Sequence, residues 1–159
     1  MQRIVRTHFM ELDQSPETVF PLLCPVREYD WIADWSCEMV HTASGVAELD
    51  CVFRTAFPDY GPAVWTCSRY ETGRAIDYVV CGAGHFERLS IRLQPLGAGA
   101  RLEWTRVFTA LSPAAEAVVE TLAGARLDRI MDVLKQSLDH YLRSGELWKP
   151  AATSARSTA

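Results

Sequence analysis

Between residues 36 and 111 the chain falls into six short segments rich in β-branched and aromatic residues, each parted from the next by a few turn-forming residues. This spacing is the strongest constraint on the fold, since tight turns join antiparallel neighbours whereas parallel strands need long crossovers. The segments are SCEMVHT, VAELDCVFRTAF, AVWTCSRYE, AIDYVVC, FERLSIRLQP and RLEWTRVFTAL, with turns at PDYGP, TGR, GAGH and LGAGA. Alternation is clearest at Leu89, Ile91 and Leu93 and at Leu102, Trp104 and Phe108, as a sheet with two unlike faces requires. RIVRTHFMEL, residues 3–12, reads as a further strand and makes seven.

Two helical regions flank these strands. Ser15 is a good N-cap, Pro16 suits the first helical position and Glu17 favours the positive end of the helix dipole. Val19, Phe20, Leu22 and Leu23 supply an apolar face, and Pro25 ends the helix because the residue before a proline avoids the α region. A second short helix is expected to carry Val26, Tyr29, Trp31, Ile32 and Trp35. After the last strand, Ser112 and Pro113 start a long helix with Glu116 placed for a capping box. Its stripe runs Leu127, Ile130, Met131, Leu134, Leu138, Tyr141 and Leu142, with Gly124 as a point of kinking. The polar tail over 148–159 is expected to be disordered, leaving one domain over 1–147.

Composition narrows the function. Sixteen Lys and Arg against twenty Asp and Glu give a formal net charge of −4, and the basic residues are scattered singly, so no patch suits the phosphates of nucleic acid. No run approaches the roughly 18 apolar residues that would span a bilayer, so membrane insertion is not expected. The N-terminus enters a strand pattern without the apolar region of a secretory signal, which points to the cytoplasm. The five cysteines, without a CxxC pair, then read as reduced, small hydrophobic residues. Cys24 stands at a helix C-terminal end, where the dipole disfavours a thiolate. Cys37 with His41 and Cys81 with His85 are four apart, about 13 Å along a strand and too far to share a zinc, so no metal site is expected. The glycines of GAGH and LGAGA do not lie between a strand and a helix and read as hairpin turns, not phosphate loops.

The order is strand, two short helices, six strands and one long helix, which a curved antiparallel sheet gripping a helix satisfies. In this order, and in the pattern SPETVF at the first helix, residues 3–145 resemble the START-like, SRPBCC superfamily. That superfamily includes polyketide cyclases and dehydratases, aromatic-ring-binding proteins, lipid-transfer domains and the birch-pollen allergen class. The resemblance implies an α+β helix-grip fold, with a seven-stranded curved antiparallel sheet around the C-terminal helix. It also implies a cavity between sheet and helix for a small hydrophobic ligand; no cofactor is expected. Physics allows such a cavity without requiring it, since Trp65, Trp104, Phe108 and Met131 could instead fill the space.

An inward-facing polar residue must be paired or bind something. His8 is in phase with Met10 and Leu12, and Arg106 with Leu102, Trp104 and Phe108. His8, Tyr78 and Arg106 are therefore the expected polar groups of the cavity, with Trp31, Trp35, Trp104 and Met131 as apolar lining. Trp31 and Trp35, four apart, would share one face of the second short helix and form a pocket lip. Two functions follow: a binder of an aromatic, polyketide-like or lipid molecule, or a cyclase-, aromatase- or dehydratase-type enzyme using general acid-base catalysis. His8 is the first candidate base, given its titration near neutral pH. A chaperone-stimulating module, also known among START-like proteins, needs a charged docking face that the mixed surface does not single out. A homodimer is compatible with the sequence.

Overall fold

The computed structural model describes residues 1–58 and 60–149; the tail residues 150–159, expected to be disordered, lie outside the described residues. The seven strands are β1 (Arg3–Leu12), β2 (Glu38–His41), β3 (Val52–Phe57), β4 (Gly61–Glu71), β5 (Ala75–Gly82), β6 (His85–Leu96) and β7 (Gly99–Ala110). They form one sheet in the order β1-β7-β6-β5-β4-β3-β2, antiparallel throughout. The last six strands thus run as a meander, as their short turns dictate, and β7 then pairs with β1 across nearly the whole chain. A bulge in β4 between Cys67 and Arg69 adds local bend and twist to the sheet. The strand expected from residue 46 begins only at Val52, because Asp50 takes a left-handed φ of 65° and breaks the ladder before it.

The segment after β1 is less helical than expected. Helix α1 (Pro16–Val19) is a single turn that passes into a 3-10 turn at Phe20–Leu23. In place of the second short helix there is one 3-10 turn at Glu28–Asp30. Val19, Phe20, Leu22, Leu23 and Trp31 are nevertheless buried, so the segment plugs one end of the sheet. Each such side chain contributes about 1.5–3 kcal/mol by leaving water.

The C-terminal helix breaks at Gly124 into α2 (Glu116–Ala123) and α3 (Ala125–Ser144). Glu116 does not form the expected capping box; its Oε1 accepts a 2.9 Å bond from the Gln2 backbone N–H, because the chain's start lies within its reach. α3 ends at Gly145, whose left-handed φ of 71° turns its N–H back to the Tyr141 carbonyl at 2.7 Å. Among the described residues no helix is long and apolar enough to cross a membrane.

Two side chains of β1 bind the helix break. Arg6 donates to the Ala123 carbonyl at 2.5 Å and to Asp128 Oδ1 at 2.5 Å, while His8 Nε2 lies 2.8 Å from the same carboxylate oxygen. The cation thus meets the carbonyl end of α2 and the acid sits in the first turn of α3, the placement that both helix dipoles favour.

Where β7 begins, Gly99 runs against the end of β1, and a Cβ there would stand 2.0 Å from the Leu12 carbonyl oxygen. Gly99→Ala must push the two strands apart, and thermal unfolding is expected to show a loss of about 2 kcal/mol. An unchanged melting temperature would contradict this account of the β1–β7 edge.

Candidate ligand-binding cavity

Between the sheet, α3 and the loop after the Glu28–Asp30 turn lies a cavity of about 340 Å³. This is within the range of small-molecule pockets. Alternation puts every second residue of a strand on its wall: Phe53, Trp65 and Tyr78 from the central strands, and Trp104, Arg106 and Phe108 from β7. Leu127, Ile130 and Leu134 of α3 close the opposite side. The rings brace one another, with Phe53 and Trp65 stacked at 5.5 Å and Tyr78 edge-on to Phe53 at 5.7 Å. Trp65 also donates its indole N–H to Thr55 at 2.9 Å. Asp34 and Ile130, both exposed, mark the end at which the cavity meets solvent.

Behind the wall at Tyr60 and Arg106 lies a closely organised polar cluster. Glu87 is fully buried, and Arg106 Nη1 donates to its Oε1 at 2.6 Å while the Tyr60 hydroxyl donates to its Oε2. Because Tyr60 donates to the carboxylate, its oxygen is left to accept from His85 Nε2–H at 3.1 Å. Burial pushes the Tyr60 phenol up, with the Glu87 charge adding to it, so it stays a donor. Burial lowers the His85 pKa against the pull of Glu87, so the imidazole is neutral. Two buried donors on lining residues find no acceptor among the described residues: Trp104 Nε1 and Arg106 Nε.

A carboxyl group completes the site. Glu28, a half-buried residue on the 3-10 turn, lines the cavity, and desolvation of its carboxyl pushes its pKa up to about 8 even though the Arg106 charge pulls it down. It is protonated at neutral pH and offers both a donor and an acceptor.

The expected site residues divide as follows. Trp31, Trp35, Tyr78, Trp104 and Arg106 line the cavity, whereas His8 and Met131 do not. His8 has the inward phase expected of it, but its ring is taken up by Asp128. Met131 is buried elsewhere under the helix. Trp31 and Trp35 do not share a helical face, because Asp34 between them takes a left-handed φ of 60°. Instead Trp31 anchors to the Leu22 carbonyl and Trp35 to that of Pro25, each at 2.8 Å, and Trp35 packs on Phe57 at 5.3 Å. The Tyr78 hydroxyl is bound to the Leu23 carbonyl at 3.1 Å, so it holds the plugging segment in place. Glu28, Tyr60, His85 and Glu87 were not expected. For Glu87 and His85 a signal existed, since both are in phase with Leu89, Ile91 and Leu93.

The side chains of Cys51, just before β3, and Cys67, on β4, lie within hydrogen-bond reach of each other. Cys24, Cys51 and Cys67 are buried in the core, and the Cys24 sulfur accepts from the Ala47 N–H at 3.1 Å. Cys81 is exposed, unlike the small core residue expected, while His85 four residues on is buried. Among the described residues no three His, Cys, Asp or Glu converge on a metal position.

Two measurements check these assignments. A carboxyl with a higher pKa folded than unfolded destabilises the fold increasingly as pH climbs from the ordinary carboxyl range to about 8. Glu28→Gln does not titrate, so its unfolding free energy should draw ahead of that of wild type across that window, by up to roughly 1.4 kcal/mol per pH unit, and level off above it. An equal gap at pH 5 and pH 8.5 would show that Glu28 is well hydrated. His8→Ala should cost about 1 kcal/mol of stability. Affinity for a cavity ligand should stay within about twofold, and a large loss would return His8 to the site.

With the geometry established, the chain can be set beside known proteins. No curated protein matches it. Among solved structures it is similar to Ara h 8.0201, at 15% identity and TM-score 0.66, covering 90% of this chain and 99% of that one. It is similar to the Aha1 dimer from Colwellia psychrerythraea, at 12% identity and TM-score 0.64, covering 89% and 98%. A third is DynU16, from the dynemicin biosynthetic locus, at 13% identity and TM-score 0.65; the match covers 89% of this chain and 48% of DynU16, so the chain spans about half of that protein. At these identities the likeness is one of fold: the curved seven-stranded sheet around a long, bent C-terminal helix. Residues 1–139 match the model of the family described as polyketide cyclase / dehydrase and lipid transport, and the chain belongs to that family.

Proposed function

We propose that the protein binds a small, largely apolar molecule, an aromatic, polyketide-like or lipid compound, in the cavity between sheet and helix. The observation that carries this reading is the 340 Å³ space itself, walled by aromatic rings and supplied with a few polar groups on one side. A void of this size with apolar walls leaves its lining without partner atoms, and a ligand restores them. Membership of a family described by polyketide cyclisation and lipid transport supports the same reading.

A second reading, a cyclase- or dehydratase-type enzyme, is favoured by one observation. Glu28 is an acid kept protonated at neutral pH inside an apolar cavity, the state in which a general acid works. In this reading Glu28 takes the role first considered for His8, whose side chain does not line the cavity.

Native mass spectrometry of the protein as purified, followed by a thermal-shift panel of fatty acids, aromatics and polyketide-like compounds, tests the binding reading. A retained apolar passenger or a ligand-dependent rise in melting temperature is expected through mass action. Leu134→Trp, which narrows the cavity from a half-buried position on α3, should abolish the rise while leaving the unliganded protein folded. An empty protein indifferent to every compound would overturn it. For the enzyme reading, Glu28→Gln should keep the thermal shift and stop any conversion seen as a ligand mass change.

A further inference from the structure

We propose that the ligand presents a ketone, quinone or phenol oxygen, carried on an aromatic frame, to Trp104 Nε1 and Arg106 Nε. This rests on the binding reading above and specifies the ligand within it. Trp104 and Arg106 stand two apart on β7 and so face the same way, and both line the cavity. Trp104 is only 3% exposed, and each of the two nitrogens is buried without an acceptor among the described residues. A buried donor left unmet is costly, so an acceptor that answers both is strongly preferred over an apolar group in the same place.

The charges around this position decide what kind of oxygen it is. The other polar groups on this side are already committed: Arg106 Nη1 and Tyr60 to Glu87, and His85 to Tyr60. Arg106 and Glu87 balance each other, the remaining charged lining residues, Asp34 and Arg126, are of opposite sign, and burial keeps Glu28 protonated at neutral pH. Two N–H donors in an electrically balanced wall suit a neutral or weakly acidic oxygen. A carboxylate, such as the head of a fatty acid, would bring an unbalanced charge out of water. The frame follows from Phe53, Trp65 and Phe108, whose rings offer flat faces and edges to another ring.

The test uses a matched pair, 9-fluorenone and fluorene, which differ at a single carbonyl, with dodecanoate as a fatty-acid probe. Affinities for the full chain are read by tryptophan fluorescence or calorimetry at pH 7. Fluorenone is expected to bind about tenfold more tightly than fluorene, and more tightly than dodecanoate. Trp104→Phe should lower the fluorenone-to-fluorene ratio severalfold, the ratio cancelling any loss of ring contact common to both compounds. Should that variant fold poorly, the carbonyl stretch of fluorenone bound to the wild-type protein serves instead, and it should lie below its value in an apolar solvent. Equal affinity of the pair, a carbonyl stretch as in hydrocarbon, or preference for dodecanoate would each overturn the inference while leaving a binding cavity in place. If none of the three binds, and the wider panel is also inert, the binding reading falls and this inference with it.

Discussion

The carboxylate of Glu87, with no surface exposed to water, is the constraint around which one side of the cavity is arranged. A lone charge at that depth would be severely penalised, and the guanidinium of Arg106 and the hydroxyl of Tyr60 make it tenable. Such a pair contributes little net stability compared with well-packed apolar residues of equal size, but losing one partner costs about 3–5 kcal/mol. Its effect is therefore on position. It fixes Arg106 by Nη1 and leaves Nε without an acceptor among the described residues, and it holds Tyr60 against Trp65 at 6.3 Å between ring centres. The aromatic wall and the polar groups are in this way parts of one assembly.

A different device keeps the helix over the sheet without filling the space beneath it. The helix is gripped at its break: Arg6 and His8 reach from β1 to Ala123 and Asp128, on either side of Gly124. Tyr78 and Trp31 do the same for the plugging segment through single bonds to the carbonyls of Leu23 and Leu22. Polar attachments at the margins let the middle remain hollow, where a wholly apolar contact would draw the layers together.

The strands and their order were legible because hydrophobic alternation and turn residues are local signals, and Leu89 to Leu93 carried them without ambiguity. The long helix and its break at Gly124 were legible for the same reason. The site was readable only in part. His8 had the inward phase expected of it, but its partner Asp128 lies 120 residues away in sequence and could not be inferred from spacing. Trp31 and Trp35 looked like one helical face, yet their indole bonds to nearby carbonyls and the left-handed Asp34 set a different path. The environment of Glu28 is wholly tertiary. Glu87 was within reach of the alternation argument, two residues before Leu89.

The hairpin between β5 and β6 carries a constraint on how this chain can drift. A Cβ on Gly82 would lie 2.3 Å from the His85 ring, which is buried beside Tyr60. The imidazole occupies the room that a side chain at position 82 would need. The two positions therefore form a single unit of inheritance: a side chain at 82 becomes tolerable only in a background where 85 has already become small. The order of those two steps is fixed by space alone.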